Sequence, residues 1–168
     1  MNSSIKNLNQ VLAFELEGMY EIVKTLQQDL SKISKSIDDH ETRMVFKAYN
    51  QNLGDQRLKL KRIFGYLLNG PYGRKSSHTA TAIVQWSDIT EKHALPRLRD
   101  VLLGKSLGLA IQYQIIAYTE ARYIAMRLEL DMVVKLLDEI IDSEEEFSRN
   151  LKRLTATHVN EACLLTTN

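Results

Sequence analysis

Apolar residues recur at Leu12, Leu16, Met19, Val23, Leu26, Leu30, Ile33 and Ile37, in steps that alternate four and three without a break. Only an α-helix gathers such a series onto one face, and a face eight residues long must be buried along its length. Three more stripes of this kind follow. The second is Val45, Tyr49, Asn52, Gln56, Leu60, Ile63 and Leu67, with Asp38 and Asp39 before it as N-cap candidates. The third is Leu103, Leu107, Ile111, Gln114, Tyr118, Ala121, Ala125 and Leu128, opened by Pro96 in a first-turn position. The fourth is Val133, Leu137, Ile140, Glu144, Phe147, Leu151 and Leu154. With two prolines and seven glycines in 168 residues, little breaks these runs.

Between the second and third stripes lies a longer connection. It opens on the loop "GPYGRKSSH" (70–78) and continues over 79–92 as a short helix anchored by Ile83, Trp86 and Ile89. The third and fourth stripes are joined by a short link at "LELD", which makes them antiparallel neighbours. The reading is all-α: a four-helix bundle whose long crossover connection suits the topology of ferritin-like folds. One domain spans 1–168, with its core over about 8–155 and a C-terminal tail over about 156–168.

Composition narrows the function classes. A 44% hydrophobic content supports a core, and a net charge of +1 gives no field strong enough to imply nucleic acid or an anionic membrane. No apolar run reaches the length of a spanning helix, and "MNSSIKNLNQ" lacks a secretory pattern, so a cytoplasmic protein is expected. Cys163 is the single cysteine, which leaves no disulfide framework. "RLKLKR" (57–62) and the acidic "DEIIDSEEE" (138–146) read as solvated helix flanks, and "GRKSSHT" lacks phosphate-loop spacing.

Asn52, Gln56, Gln114 and Glu144 interrupt three stripes near their middles, where the first keeps Val23. Unpaired burial would cost about 1–3 kcal/mol per group, so these side chains are expected to bond to one another or to trapped water. A di-iron carboxylate centre needs a Glu from each of two helices and a Glu-x-x-His from each of the others. This chain has no Glu-x-x-His, and its layer holds one carboxylate among neutral amides. His40, His78, His93 and His158 fall near helix ends or loops.

Three segments resemble the YciF/YciE-like ferritin-like family of bacterial proteins. "FELEGMYEIVKTL" is similar to the family's D-E-L-x-D-L-Y-x-A-E-x-x-L, with Glu15, Leu16, Tyr20 and Leu26 in agreement and an acid kept at Glu21. "LPRLRDVLLGKSLGLAIQYQIIAYTEAR" is similar to P-x-x-R-D leading into E-H-Y-E-I-A-A-Y-G-T-A-R, through Pro96, Arg99, Asp100, Tyr113, Tyr118 and Arg122 among others. "LLDEIIDSEEEFSRNL" retains Glu139, Glu144 and Leu151 of the family's helix-four pattern. The resemblance covers about Leu8 to Leu154 and implies candidate metal carboxylates on all four helices. The chain departs there: Val23, Tyr49, Asn52, Ile111, Gln112, Gln114 and Ser148 stand where the family carries metal-type ligands, while Glu144 is retained.

Two functions follow. The first is a non-catalytic bundle, with no cofactor, that associates with itself or a protein partner; the resemblance implies a homodimer and a link to stress. Its di-iron site has become a polar layer of Asn52, Gln56, Gln114, Glu144 and Ser148. The alternative is a metal-binding protein or oxidoreductase in which iron or another divalent metal sits on Glu144, Glu15 and Glu21. An inward-pointing Glu15 or Glu21 beside Glu144 separates the second from the first. Tyr113, Tyr118 and Tyr123 read as packing aromatics. The residues name no catalytic group.

Overall fold

The computed structural model describes residues 5–68 and 94–166, and among them every element is a helix. They are α1 (Leu8–Ile33), α2 (His40–Tyr66), α3 (Pro96–Arg127) and α4 (Asp131–Thr166). Local chemistry sets most boundaries. The Asn7 side chain accepts from the Gln10 amide at the start of α1, and Asp39 Oδ2 accepts from the Thr42 amide at 2.7 Å to cap α2. Pro96 occupies the first turn of α3, where a missing N–H costs nothing. At the end of α3, Leu130 N–H reaches Ala125 O and Glu129 N–H reaches Met126 O, the paired bonds of a Schellman turn. Glu129 takes the left-handed position there, with φ of 57°, where glycine is usual.

α1 packs on α2 and α3, and α4 packs on α2 and α3, so α2 lies diagonally across from α3. The starts of α2 and α3 share one end of the bundle, because Asp100 Oδ2 accepts from the Asp39 amide at 2.8 Å. At that same end Arg99 donates to Ser36 O and pairs with Asp38, each at 2.7–2.8 Å. α2 runs about 40 Å at 1.5 Å per residue, so its end at Tyr66 lies a full bundle length from Pro96. The connection is therefore a crossover, and the fold is an all-α ferritin-like four-helix bundle. The short helix expected over 79–92, and His78 and His93 with it, lie outside the described residues.

Every member of the first apolar stripe is buried, from Leu12 to Ile37. α3 likewise buries Leu103, Leu107, Ile111, Tyr118, Ala121 and Ala125. α2 is rotated slightly from expectation: Phe46, Leu53 and Phe64 are buried, while Val45, Asn52 and Leu67 are half-buried. The expected tail is corrected, because α4 continues as helix through Thr166. No glycine or proline follows Asp131 to stop it. His158, within this extension, meets Thr42 Oγ1 at 2.9 Å and ties the last turns of α4 to the start of α2.

Candidate functional site

Midway along the bundle, side chains from α2, α3 and α4 form one hydrogen-bonded cluster around Glu144. Glu144 Oε2 accepts from the Tyr49 hydroxyl at 2.7 Å. Its Oε1 accepts from Asn52 Nδ2 at 3.1 Å and from Gln56 Nε2. Tyr49 Oη in turn accepts from Gln114 Nε2 at 2.7 Å, and Tyr118 Oη donates to Gln56 Oε1 at 3.3 Å. Ser143 Oγ donates to Asn52 Oδ1 at 2.7 Å and closes the cluster toward the surface. α1 contributes Val23, which is buried and apolar.

Helical spacing explains the convergence. Tyr49, Asn52 and Gln56 are steps of three and four along α2, so they present their polar ends on one side. Gln114 and Tyr118 do the same from α3. Tyr49 is held in place by Phe147, whose ring meets it edge-on at 5.1 Å between centroids.

Burial dominates the electrostatics. Glu144 is fully buried, and loss of hydration pushes its carboxyl up to about 7 against the opposing pull of Tyr49, Gln56 and Asn52. Burial, reinforced by the neighbouring carboxylate, raises the Tyr49 and Tyr118 hydroxyls well above their ordinary value. Both therefore stay protonated and serve as donors across the ordinary pH range. Gln114 Oε1 is buried and accepts no hydrogen bond.

The residues singled out in the sequence are not all brought together. Asn52, Gln56 and Glu144 touch directly, and Gln114 joins through Tyr49. Ser148 lies one turn further along α4 and accepts instead from Gln112 Nε2 at 2.7 Å. Glu21 pairs with Lys24 at 3.2 Å on the flank of α1. Glu15 faces Glu120 of α3, where burial and that second carboxylate raise its own carboxyl. Neither Glu15 nor Glu21 is among the partners of Glu144, which are Tyr49, Asn52 and Gln56. Tyr49, the hub of the cluster, was legible as part of a stripe and as the position near the family's helix-two histidine, and Ser143 carried no signal at all.

A dinuclear metal does not fit this donor set. Two dications need several anionic or imidazole ligands to offset lost hydration, and the cluster supplies one carboxylate, three amides and two phenols kept protonated. The carboxylate already accepts three bonds from neutral side chains of its own chain. Among the described residues, no group of three or more His, Cys, Asp or Glu side chains gathers closely enough to hold a metal ion. Nor is any of the described helices long and apolar enough to cross a membrane.

Solved structures share this architecture. The crystal structure of the E. coli stress protein YciF superposes with a TM-score of 0.87 at 20% identity, covering 93% of this chain and 99% of that one. YcfI of Rhodopseudomonas palustris superposes with a TM-score of 0.85 at 16% identity, over 90% and 97% of the two chains. No curated protein sequence matches. The model of the family described as domain of unknown function DUF892 matches residues 7–164, nearly the whole described chain, and the protein accordingly belongs to the DUF892 family.

Proposed function

We propose that this protein is a non-catalytic ferritin-like bundle whose role is association, with a second copy of itself in the first place, and whose dinuclear metal position has degenerated into a self-satisfied polar layer. The observation that carries the reading is the state of Glu144. A carboxylate retained for metal binding presents free lone pairs to the ion, whereas this one takes its bonds from Tyr49, Asn52 and Gln56. The layer thus serves to fix the register of α2, α3 and α4, as a single polar core position does in coiled bundles. A cytoplasmic setting and a part in the stress response, the role named for the E. coli structural relative, belong to the same proposal.

Metal loading tests it. Purified chain is incubated anaerobically with ferrous iron, desalted and assayed for bound metal alongside a Gln114→Glu variant, which places a second carboxyl in the layer. The wild type is expected to retain well under one iron per chain. Two irons per wild-type chain, with a carboxylate-bridged absorption spectrum after oxidation, would overturn the reading in favour of an oxidoreductase.

A further inference from the structure

α3 is apolar on its outward side as well as its inward one. Leu98, Leu102, Leu109, Ile116 and Tyr123 recur in steps of four and seven on the side opposite its buried residues. Leu109 is 72% exposed, Ile116 59% and Tyr123 66%. A helix apolar on both faces is ordinarily covered on both, and a continuous exposed apolar strip marks an interaction surface.

Two charges punctuate the strip and say what covers it. Lys105 lies one turn before Leu109, is exposed, and has no ion-pair partner among the described residues. Glu120 lies one turn beyond Ile116 and faces Glu15 of α1. These two carboxylates border a cleft of about 280 Å³ between α1 and α3, walled by Met19, Ile22, Tyr113 and Ala117. Glu15 Oε2 is buried there without a hydrogen-bond partner. The cleft is anionic and has no cation of its own among the described residues.

We propose that a second copy of this chain supplies that cation: two α3 helices pack antiparallel about a two-fold axis passing between Gln112 and Tyr113, so that Lys105 of each copy reaches the Glu120 and Glu15 of the other. The face named here rests on the self-association reading above. The same axis sets Leu109 against Ile116 of the second copy and Leu102 against its Tyr123, each contact made twice, as an isologous interface requires. Other registers do worse by the charges. A shift of one heptad in one direction sets Lys105 against Arg127. In the other direction it sets Lys105 against Tyr113 and Glu120 against Leu98 and leaves both charges unpaired, and a parallel pairing sets Lys105 against Lys105. Opposite charges within the strip likewise disfavour a lipid surface.

The surface beside Leu109 suits an incoming side chain. Gly104 and Gly108 lower the wall of α3, leaving an apolar groove of about 510 Å³ against Leu151, Ala156 and Val159 of α4. From Leu98 to Tyr123 the strip is about 38 Å long and about 10 Å wide, roughly 380 Å² per chain. A stable pair needs about 800 Å² per partner. The α4 side of the groove is thus part of the contact.

Charge reversal tests the pairing on the full chain. Sedimentation velocity across a concentration series is run on the wild type, Lys105→Glu, Glu120→Lys and the double swap, with circular dichroism to confirm folding. The wild type is expected to dimerise. Each single reversal brings like charges together across the axis and is expected to weaken the dimer by roughly tenfold or more. The double swap restores opposite charges and recovers most of the affinity. A wild-type dimer indifferent to all three variants would overturn this interface while leaving self-association standing. A wild type that stays monomeric would overturn both, and if it instead sediments with phosphatidylcholine vesicles the strip belongs to lipid.

Discussion

Glu144→Gln isolates the polar layer through the pH dependence of stability. Burial raises the Glu144 carboxyl from its ordinary 4.5 to about 7 in the folded chain. Between those values the folded protein holds a proton that the unfolded chain has released, so acid favours folding. The contribution is complete below about pH 4.5 and is lost as pH rises through 7. The whole interval corresponds to about 3 kcal/mol, of which about 2–3 kcal/mol falls between pH 5 and 8. The amide that replaces the acid cannot titrate, and it occupies nearly the same volume.

The assay is urea unfolding of both proteins by far-ultraviolet circular dichroism at several pH values from 5 to 8. Taking the difference between wild type and variant removes every other titrating group, including Glu15, whose carboxyl burial also raises. The wild type is expected to lose about 2–3 kcal/mol relative to the variant across the range, with the steepest change near pH 6. Two stability curves that stay parallel from pH 5 to 8 would refute the reasoning, since Glu144 would then titrate alike in the folded and unfolded chains.

Tyr49→Phe strips Glu144 Oε2 of its donor and leaves the Gln114 amide without its acceptor; two buried groups at about 1–3 kcal/mol each predict a loss of about 2–6 kcal/mol, measured by urea midpoint at pH 7.5. Glu129→Gly is expected to stabilise the chain by about 0.5–1 kcal/mol, because glycine relieves the left-handed strain at the end of α3 and gives part of it back as unfolded-state entropy; differential scanning calorimetry reads the sign.

The helices were legible because their signal is one-dimensional. A stripe such as Leu12 to Ile37 repeats the same physical requirement eight times, and its phase survives any single ambiguity. α2 was harder. Its apolar arc is wide enough for two overlapping stripes, and Phe46, Leu53 and Phe64 won the interior over Val45 and Leu67 because burying them removes more apolar area from water. The extent of α4 was obscured because polar residues such as His158 and Glu161 read as tail, although the absence of any helix breaker after Asp131 already pointed the other way. The composition of the polar layer could be read, since amides at stripe positions are conspicuous. Its wiring could not: Tyr49 and Glu144 are 95 residues apart, and no local pattern says that a phenol rather than a second carboxylate will face the acid. Arg99 and Asp100 are a similar case, agreeing with a family pattern whose purpose appears only when they clasp the turn between α1 and α2.

The orphaned oxygen of Gln114 has a use once Glu144 takes its proton. In the ionised layer the bonds run one way, from Gln114 Nε2 to Tyr49 Oη and from Tyr49 to Glu144 Oε2. A protonated Glu144 is itself a donor toward Tyr49, so the Tyr49 hydrogen must find another acceptor. Turning over the Gln114 amide brings its unpartnered Oε1 to that place, and the chain of bonds reverses with no movement of backbone. Gln114→Met fills the same space without an acceptor. The protonated layer then loses a bond it needs, the ionised layer is favoured, and the Glu144 carboxyl falls below 7. The pH-dependent loss of stability isolated by Glu144→Gln is expected to shrink and move toward lower pH in the Gln114→Met background, followed by the same urea titrations. If the pH-dependent loss keeps its size and midpoint, the proton is accommodated by Asn52 or Gln56, and the amide of Gln114 is a spacer rather than a hinge for the bond chain.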